Sequence, residues 1–406
     1  MEVRVAVERA AQDSYGKLLA YLASRSRDVE AVEDALSEAF VAALESWHGS
    51  GIPKNPEAWL LTSARNRLTD MGRRGQMKER VHQSLVAAAS EVQSMAKRDA
   101  EFPDERLKLL FICAHPAIDE AARTPLMLQT VLNVPANKIA SAFLVAPATM
   151  SQRLVRAKRK IRDAGISFDL PDSGLEERVT NVLDAIYAAY GTGWDHLQGA
   201  DAHMGGLSAE AIYLGRLVVE LLPKVPEAKG LLALMLLCQA RREARRDQDG
   251  QYVPFSEQDP KLWSTDFMGE AERNLEAAVS MKQPGRYQLE ACIQSAHIDR
   301  RLTGRENWED VLALYEGLLY VAPSVGALVN RASALAEVNG ASAGLEALED
   351  IEVEFSESYQ PYWALRGHLL NQLGRGDEAR VAYERAIGMS EDPAVRSFLT
   401  EKLNNS

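Results

Sequence analysis

Basic and small polar residues crowd the stretch from residue 149 to residue 162 of this 406-residue chain. Six of the ten residues from Arg153 to Arg162 are Lys or Arg, and none is Asp or Glu. Small polar side chains come first, where they could contact base edges, and the cations that follow suit phosphates. The candidate DNA contacts are Thr149, Ser151, Gln152, Arg153, Arg156 and Lys160. Because a basic helix face is more often merely solvated, this interpretation needs a scaffold that presents the helix to DNA.

Residues 124–162 supply such a scaffold, since three short helices are predicted within them. Thr124 is expected to cap the first helix, with Pro125 at its first position. Pro135 and Pro147 are expected to open the other two. Apolar residues recur at three- and four-residue spacing through Leu126, Leu128, Val131, Leu132, Ile139, Ala142, Phe143, Met150, Leu154, Ala157 and Ile161. A helix, a tight turn and a second helix form the helix-turn-helix motif, whose last helix enters the major groove.

A second candidate surface lies on a helix predicted over residues 28–47, which follows one predicted over residues 5–24. Its apolar residues Val32, Leu36, Phe40 and Leu44 follow one another at four-residue spacing and form a stripe. Asp34 and Glu38 lie beside that stripe. Such an arrangement suits a protein partner with basic and apolar patches, although charges beside a stripe are usually only its solvent edge.

A loop rich in Gly and Pro, residues 48–55, leads into a third helix. Asn55 is expected to cap this helix, with Pro56 at its first position. Its apolar residues Trp59, Leu60, Ala64 and Leu68 can face a core. Its polar residues Asn55, Arg65, Asn66, Arg67, Arg73 and Arg74 can face a phosphate backbone and unpaired bases. Helices are also predicted over residues 78–100 and 105–118.

Charge is divided unevenly along the chain, whose overall net charge is −12. Residues 1–168 hold 24 Lys and Arg against 20 Asp and Glu, a net charge of +4. Residues 169–406 hold 22 against 38, a net charge of −16. This asymmetry points to a front part that faces nucleic acid and an acidic back part with another task.

The sequence gives little indication of a metal site, a disulfide or a membrane-spanning segment. Cys113, Cys238 and Cys292 are distant from one another and odd in number, which favours a reducing cytoplasm. Two further ligands beside Cys113 and His115 are not evident, and no Glu closes a calcium loop at Asp247. The first residues are not a signal peptide, and the apolar run 231–238 is too short to span a bilayer. We therefore expect a cytoplasmic protein that needs no cofactor or metal, is not an enzyme and does not contact membrane.

The order of these elements resembles an extracytoplasmic-function sigma factor of bacterial RNA polymerase. The segment EDALSEAF, residues 33–40, is similar to the core-polymerase-binding helix of that sigma-70 family, with Ser37 where Gln is usual. Residues 55–74 resemble the helix that engages the minus-ten promoter element. FICAHPAID and residues 142–166 resemble the subgroup whose sigma module carries a C-terminal tetratricopeptide-like extension.

The resemblance implies three sets of functional residues. Core-polymerase binding falls to Asp34, Leu36, Glu38 and Phe40. Minus-ten DNA binding falls to Asn55, Arg65, Asn66, Arg73 and Arg74. Minus-thirty-five DNA binding falls to Thr149, Ser151, Gln152, Arg153, Arg156 and Lys160.

The remaining residues, 173–406, are predicted to be helical after a linker at residues 166–174. Tetratricopeptide-type positions are filled by Trp363, Gly367, Leu370, Gly374, Ala379, Tyr383 and Ala386, and 35 residues earlier by Ala332, Leu335, Asn339, Gly344 and Leu348. Gly and Ala recur in such repeats because the paired helices approach closely. Long loops are expected over residues 191–208 and 245–263, and a groove of the repeats could bind a peptide, a protein or a small ligand.

The sequence therefore predicts an all-α protein with two small helical sigma domains followed by an α-solenoid. The predicted boundaries are 1–80 for region 2, 81–104 for a helical linker, 105–166 for region 4 and 173–406 for the regulatory extension. The expected function is promoter recognition and transcription initiation, with RNA polymerase core and promoter DNA as partners. Two alternatives are a stand-alone helix-turn-helix regulator, which has no need of residues 33–40 and 55–74, and a tetratricopeptide scaffold protein.

Overall fold

The computed structural model describes residues 2–74, 104–143, 145–170, 174–195, 202–352 and 356–405. Every regular element in these ranges is a helix, apart from one bridge between Arg246 and Tyr252, and the predicted all-α class is confirmed. The helix predicted over residues 78–100 lies outside them. The contacts divide the chain into two compact units, Met1–Leu221 and Leu222–Ser406.

The first unit contains two groups of helices. The first group is α1 (Glu2–Ser26), α2 (Val29–Ser50) and α3 (Pro56–Arg74). The second is α4 (Arg106–Cys113), α5 (Glu120–Thr130), α6 (Ala136–Ala142), α7 (Pro147–Asp163), α8 (Glu176–Asp195) and α9 (Ala202–Leu221). The contacts thus group α8 and α9 of the predicted extension with the first unit, and the functional domain boundaries stay predictions.

Helices α2 and α3 begin where side chains cap them. The Asp28 carboxylate accepts the Ala31 N–H at 3.1 Å, and the Asn55 side-chain oxygen accepts the Ala58 N–H at 3.0 Å, which confirms Asn55 as a cap. The expected apolar faces meet in one core, formed by Leu18, Leu19, Leu22, Val32, Leu36, Leu60, Ala64 and Leu68. Trp59 packs edge to face on Trp47, with ring centroids 5.5 Å apart.

Two helix boundaries around the predicted helix-turn-helix were wrong. The helix expected over residues 105–118 ends at Cys113, because the residues before Pro116 are driven away from helical conformation. The next helix begins at Glu120 rather than after Thr124, so Pro125 lies inside it. The start of α7 at Pro147 is confirmed. In α6 only Ile139 and Ala140 are buried, whereas Ala142 and Phe143 face solvent.

The second unit is a series of packed helices. They are α10 (Pro226–Ala240), α11 (Thr265–Ser280), α12 (Arg286–Thr303), α13 (Trp308–Val321), α14 (Val325–Asn339), α15 (Ala341–Glu349), α16 (Gln360–Gln372), α17 (Gly376–Met389) and α18 (Pro393–Asn404). The apolar run 231–238 lies in α10, whose residues Leu231–Leu237 are all buried. The unit therefore has its own core.

The predicted 35-residue repeat coincides with two helical hairpins, α14–α15 and α16–α17. Their first helices begin at Val325 and Gln360, and their second helices at Ala341 and Gly376. A methyl group on Gly367 would lie 2.9 Å from the Tyr383 ring. A side chain at that position would therefore force α16 and α17 apart, which is the physical reason for the glycine.

Of the two predicted long loops, one is confirmed and one is not. Residues 191–195 continue α8 and residues 202–208 open α9, so most of the expected loop 191–208 is helical. Residues 245–263 contain short 3-10 turns and the bridge between Arg246 and Tyr252, and no α-helix. This loop is anchored within the second unit, since Arg246 pairs with Asp392 and Tyr252 packs on Phe398 with ring centroids 5.4 Å apart.

Candidate nucleic-acid and polymerase interfaces

Helix α7 presents three different faces. Its core face consists of the buried residues Met150, Leu154, Ala157 and Ile161. Its outer face carries five of the six predicted minus-thirty-five residues, Thr149, Gln152, Arg153, Arg156 and Lys160, at helical spacing. Its remaining flank carries Ser151, Lys158, Arg159 and Arg162 and faces α2. The structure therefore brings the predicted DNA contacts together, with Ser151 apart from the rest.

The outer face of α7 lines a cleft of about 480 Å³ against the start of α5. Its polar lining is Thr149, Gln152, Arg153, Arg156, Lys160 and Asp119. Three cations against one carboxylate give the cleft a positive balance. An elongated polyanion suits such a surface better than a neutral ligand, because each cation can meet a separate phosphate.

Arg153 also has a structural contact that the sequence did not indicate. Pro125 has no N–H, so the carbonyl of Ala121 lacks its usual partner within α5. The Arg153 guanidinium donates to that oxygen at 3.2 Å. One of the predicted base-contacting residues therefore also holds α7 against α5.

The flank of α7 that faces α2 carries ion pairs. The Lys158 ammonium lies 2.6 Å from the Glu33 carboxylate, and its side chain is only 8% exposed. Arg162 lies 3.3 Å from Glu30, which Arg159 approaches at 3.8 Å. Burial raises the pKa of the Glu33 carboxyl above its ordinary value, although Lys158 opposes that shift. The basic run is thus not one solvated face, since at 3.6 residues per turn its cations point in different directions.

The predicted core-polymerase residues on α2 do not share one environment. Asp34 and Glu38 are exposed. Phe40 is half-buried and stacks on Tyr15, with ring centroids 6.3 Å apart. Leu36 is fully buried in the core, so its assignment to a partner surface is wrong for this structure. At this position of α2 the Leu36 side chain points into the core, beside Val32.

One apolar residue on the exposed face of α2 was missed by the sequence analysis. Val41 is 55% exposed and shares a face with Asp34 and Glu38. Leu44, which the sequence analysis placed on the apolar stripe, is 37% exposed and lies toward the edge of that face. A signal was present, because residues 34, 38, 41 and 45 follow helical spacing. The resulting acidic and apolar stripe is the surface of α2 that a partner can reach.

The predicted minus-ten residues on α3 are only partly available. The Asn55 side-chain oxygen caps α3, which leaves its amide hydrogens as donors. Asn66 is exposed, and Arg65 is half-buried, donating to Asn66 at 3.4 Å. Burial lowers the pKa of Arg65. The backbone of Arg73 and Arg74 belongs to α3, but their side chains lie outside the described residues. An adjacent cation, Arg67, lies 3.3 Å from Glu38 on α2.

Helices α8 and α9 are attached to the predicted helix-turn-helix by buried polar contacts. Arg106, 9% exposed, donates to both carboxylate oxygens of Asp104 and pairs with Glu210 on α9. The Tyr213 hydroxyl donates to Asp104 at 3.3 Å. On α5, Arg123 donates to Asn181 of α8 at 3.0 Å. The linker residues Ile166 and Phe168 are buried as well, so the start of the extension is docked.

The two carboxylates around Arg106 respond differently to it. Burial opposes ionisation of Asp104, yet hydrogen bonds from Arg106 hold the pKa of that carboxyl below its ordinary value. Burial raises the pKa of Glu210, and its contact with Arg106 does not fully offset this. Of the two carboxylates, Asp104 is therefore the stronger partner of Arg106.

The candidate metal sites are not assembled by the fold. Among the described residues, no group of three His, Cys, Asp and Glu side chains could hold a metal ion. Cys113 is buried and lies 3.6 Å from the Thr130 hydroxyl, and burial raises its pKa to about 12. Asp247 accepts backbone N–H groups of Asp249 and Gln251 and so closes its own turn. No helix in the described ranges is long and apolar enough to cross a membrane.

The first unit thus combines a helical module that carries an exposed acidic and apolar surface with a second module that carries a basic cleft, an arrangement typical of proteins that bind a macromolecular partner and nucleic acid. Sequence comparisons specify this class. Residues 11–77, which contain α2 and α3, match sigma-70 region 2, and residues 178–279 match a family of unknown function, DUF6596. No solved structure matches the chain.

One relative extends the match to the whole chain. The uncharacterized protein R00370 of Rhizobium meliloti (strain 1021) is 34% identical over 408 residues, covering 99% of this chain and 95% of that protein. The chain belongs to the same family as this relative, and its region 2 supports a sigma factor of the sigma-70 family. Its region 2 implies interaction with RNA polymerase core and promoter DNA in transcription initiation.

Replacement of Arg106 by Met is expected to lower the free energy of unfolding by about 3–5 kcal/mol, because two partly buried carboxylates lose their cation. This decrease in the free energy of unfolding should have its full size at neutral pH. It should shrink as the pH falls below the ordinary Asp value, because the stabilisation from a carboxyl with a lowered pKa disappears once that carboxyl is protonated. Urea unfolding at neutral pH and at a pH below the ordinary Asp value measures the difference in the free energy of unfolding. Hydrogen exchange in α4 and α9 shows whether these two helices are affected.

A matched control for Arg106→Met is Arg305→Met, which removes an exposed arginine lying 3.9 Å from Asp310. Its effect should stay below about 1 kcal/mol, as is usual for exposed pairs. Equal losses in the two variants would contradict a buried network between α4 and α9.

Proposed function

We propose that this sigma factor is of the extracytoplasmic-function type, with α4–α7 as a region 4 that binds the minus-thirty-five element. The observation that carries the proposal is the cleft at the outer face of α7. Gln152 and Arg153 stand there beside Arg156 and Lys160, so donors for base edges are combined with donors for phosphates. The protein acts by binding and performs no chemistry of its own.

The short helices before α7 suit this role. Helices α5 and α6 pack against α7 and leave its outer face open. Thr149 and Gln152 lie in the first turns of α7, where a recognition helix contacts bases, and Arg156 and Lys160 follow along the same face. The contact from Arg153 to the Ala121 carbonyl keeps α7 in register with α5.

We further propose that the exposed stripe of α2 is the core-polymerase contact and that Asn66 and Arg65 of α3 contact the minus-ten element. Asp34 and Glu38 provide charge, while Val41 and Leu44 provide apolar surface. A partner segment with basic and apolar side chains fits this combination. The stand-alone regulator loses support, because it has no use for the region 2 that the chain carries.

The second unit is proposed to be a tetratricopeptide-like regulatory domain that promoter activity requires. Its support is the 35-residue offset between the hairpins α14–α15 and α16–α17 and the close helix approach at Gly367. Residues 222–406 hold 20 Lys and Arg against 29 Asp and Glu, and this net charge of −9 makes direct DNA contact by the second unit unfavourable. A protein or peptide partner fits it better.

The polymerase contact is tested by the double variant Asp34→Arg, Val41→Asp. It should lose co-purification with core polymerase, because it reverses a charge and places a carboxylate in the apolar part of the stripe. Val5→Asp with Glu8→Arg is the control, since Val5 is 57% exposed and the Glu8 side chain is 55% exposed on α1. Undiminished binding of the α2 variant, or equal loss in the control, would remove the assignment of the stripe.

The proposed DNA contact is tested with variants of the residues that line the cleft. Arg156→Ala with Lys160→Ala should weaken binding to all sequences and lower the log–log salt slope by about 0.9 for each lost phosphate contact. Gln152→Ala should relax preference at one base pair and cost about 1–3 kcal/mol there. Arg9→Ala removes an exposed cation of α1 and serves as the control. Unchanged salt slopes in the Arg156, Lys160 variant contradict the proposed docking.

The role of the second unit is tested by a stop after Leu221. This chain keeps Glu210 and Asn181, so α4 and α5 retain their partners. It should fold and bind core polymerase but drive little transcription from promoters mapped with the full chain. A stop after Pro171 should also lose stability, because it removes α8 and α9. Strong constitutive transcription from residues 1–221 would show instead that the second unit inhibits.

A further inference from the structure

Four aromatic rings form a row in the second unit, beside the loop 245–263. The ring centroids of Trp263 and Phe255 lie 5.8 Å apart, and those of Phe255 and His297 on α12 are also 5.8 Å apart. His297 in turn lies 5.6 Å from Trp308, the first residue of α13. Trp263 is buried, whereas the other three residues are half-buried, so solvent reaches part of this set. We name the four rings the aromatic row.

Two arginines lie over rings of the aromatic row. The guanidinium carbon of Arg241 lies 4.6 Å from the centroid of the Phe255 ring, and that of Arg300 lies 3.6 Å from the centroid of the Trp308 ring. A ring face stabilises the guanidinium above it, but it leaves the N–H groups at the guanidinium edge available for other partners.

Arg241 is buried without an anion beside it. It is 8% exposed, and its guanidinium donates to two neutral oxygens, those of the Gln294 side chain at 2.8 Å and the Gln258 side chain at 3.4 Å. Its buried Nε atom has no hydrogen-bond partner within the described ranges. The negative end of α10 precedes Arg241, but a helix dipole is only a partial charge. Because a buried cation is costly unless an anion offsets it, this arginine lacks a charged partner.

The two neighbouring arginines of α12 also have neutral partners. Arg300 donates to the Asn307 side-chain oxygen at 3.3 Å and lies 3.0 Å from Nδ1 of His297. Arg301 donates to the backbone carbonyl of Gln258 at 3.1 Å. None of these partners is a carboxylate, although the second unit has an excess of acidic residues, with 20 Lys and Arg against 29 Asp and Glu.

The field around His297 is positive. Burial lowers the pKa of its imidazole to about 4, and Arg300 and Arg241 contribute to that shift. His297 is therefore neutral at pH 7, and the guanidinium groups of the two arginines are the charges that face a ligand.

We propose that the edge of the aromatic row between Arg241 and Arg300 binds a small oxyanion, that is, a free ligand that carries a phosphate or a carboxylate group. The N–H groups of a guanidinium are spaced to bind two oxygens of such a group at once. The site lies wholly within the second unit, so it does not depend on the assignments of α2, α3 and α7.

The side-chain oxygen of Gln258 is the acceptor that an oxyanion replaces. Its 3.4 Å distance to Arg241 is longer than a usual N–H···O bond, whereas charge-assisted bonds are shorter and roughly twice as strong. Trp263 adds a donor, because its buried indole N–H has no partner in the part of the chain that the structure describes. The Ser264 N–H donates to the Ala240 carbonyl at 2.9 Å, which holds Trp263 beside Arg241.

A small free ligand suits this site better than a nucleic acid or an acidic protein. Arg241 is largely covered, so only a small group reaches its donors. A large polyanion also meets the acidic remainder of the second unit, which repels it.

The experiment measures hydrogen exchange of the full chain while inorganic phosphate or succinate is titrated, with sodium chloride keeping the ionic strength constant. Either oxyanion should slow exchange in residues 254–263 and 294–303 at millimolar concentration, because it ties the loop to α12. The anion that acts at the lower concentration identifies the preferred group. Phosphate bound in the cleft of α7 protects other segments, and Arg156→Ala with Lys160→Ala should remove that protection alone.

Variants of the arginines separate binding from structural support. Arg300→Gln should raise the phosphate concentration for half-maximal protection by about tenfold or more, because a charge-assisted hydrogen bond is lost. Arg241→Lys keeps the charge but loses the guanidinium edge, and it should weaken binding as well. Arg305→Gln is the matched control, since it removes an exposed arginine that lies 3.9 Å from Asp310, and it should change nothing.

Exchange in α14–α17 without added anion shows that each variant is folded. If Arg241→Lys is not, Arg300→Gln decides the result, because Arg300 is only half-buried. The site is overturned if neither phosphate nor succinate protects the two segments of the wild type, or if Arg300→Gln and Arg305→Gln bind the protecting anion equally well.

Discussion

A buried lysine constrains the whole first unit. Lys158 lies in the middle of the most basic helix that the structure describes, yet its side chain is 8% exposed and pairs with Glu33. Withdrawing a charged ammonium group from water is costly unless an anion lies beside it. This requirement sets the rotation of α7, since with Lys158 turned toward α2, the face bearing Arg156 and Lys160 turns outward. It also joins the second helix of region 2 to the last helix of the helix-turn-helix.

The rotation of α7 explains why one run of cations can serve several purposes. Residues 153–162 read as a uniform basic stretch, but the helix divides them among a partner helix, a core and an open cleft. Arg153 combines two of these roles. It lines the cleft, and it donates to the Ala121 carbonyl, which lacks an N–H partner because of Pro125. The proposed DNA contact and the internal packing of the module therefore share Arg153.

The start of the extension is part of the structural support of α4 and α5. Arg106 is held by one carboxylate from its own segment and another from α9, and Arg123 reaches α8. These contacts explain why the first compact unit continues to Leu221 and not only to the linker. Asn181 and Glu210 lie in the segment matched by the family of unknown function, residues 178–279, so in this chain the beginning of that segment supports the helices next to α7.

The sequence alone determined which segments are helices and what their surfaces could bind. Capping at Asn55 and the proline at residue 147 are local signals, because each depends on residues a few positions apart. The 35-residue offset of the repeats is also present in the sequence, since the same small and aromatic positions recur in each unit. The expected core faces around Leu60 and Leu154 follow from helical periodicity in the same way.

Only the tertiary structure decided which side of each helix remains available. Leu36 was assigned to a functional surface by its position in a motif, but long-range packing buries it, and Lys158 in the basic run is buried as well. Val41 and Leu44 become exposed because α1 and α3 cover only one side of α2. The start of α5 before Pro125 depends on Arg153, which is distant in sequence and replaces the missing N–H. These outcomes depend on pairs of residues far apart in the chain, and local spacing carries no information about which distant residues will meet.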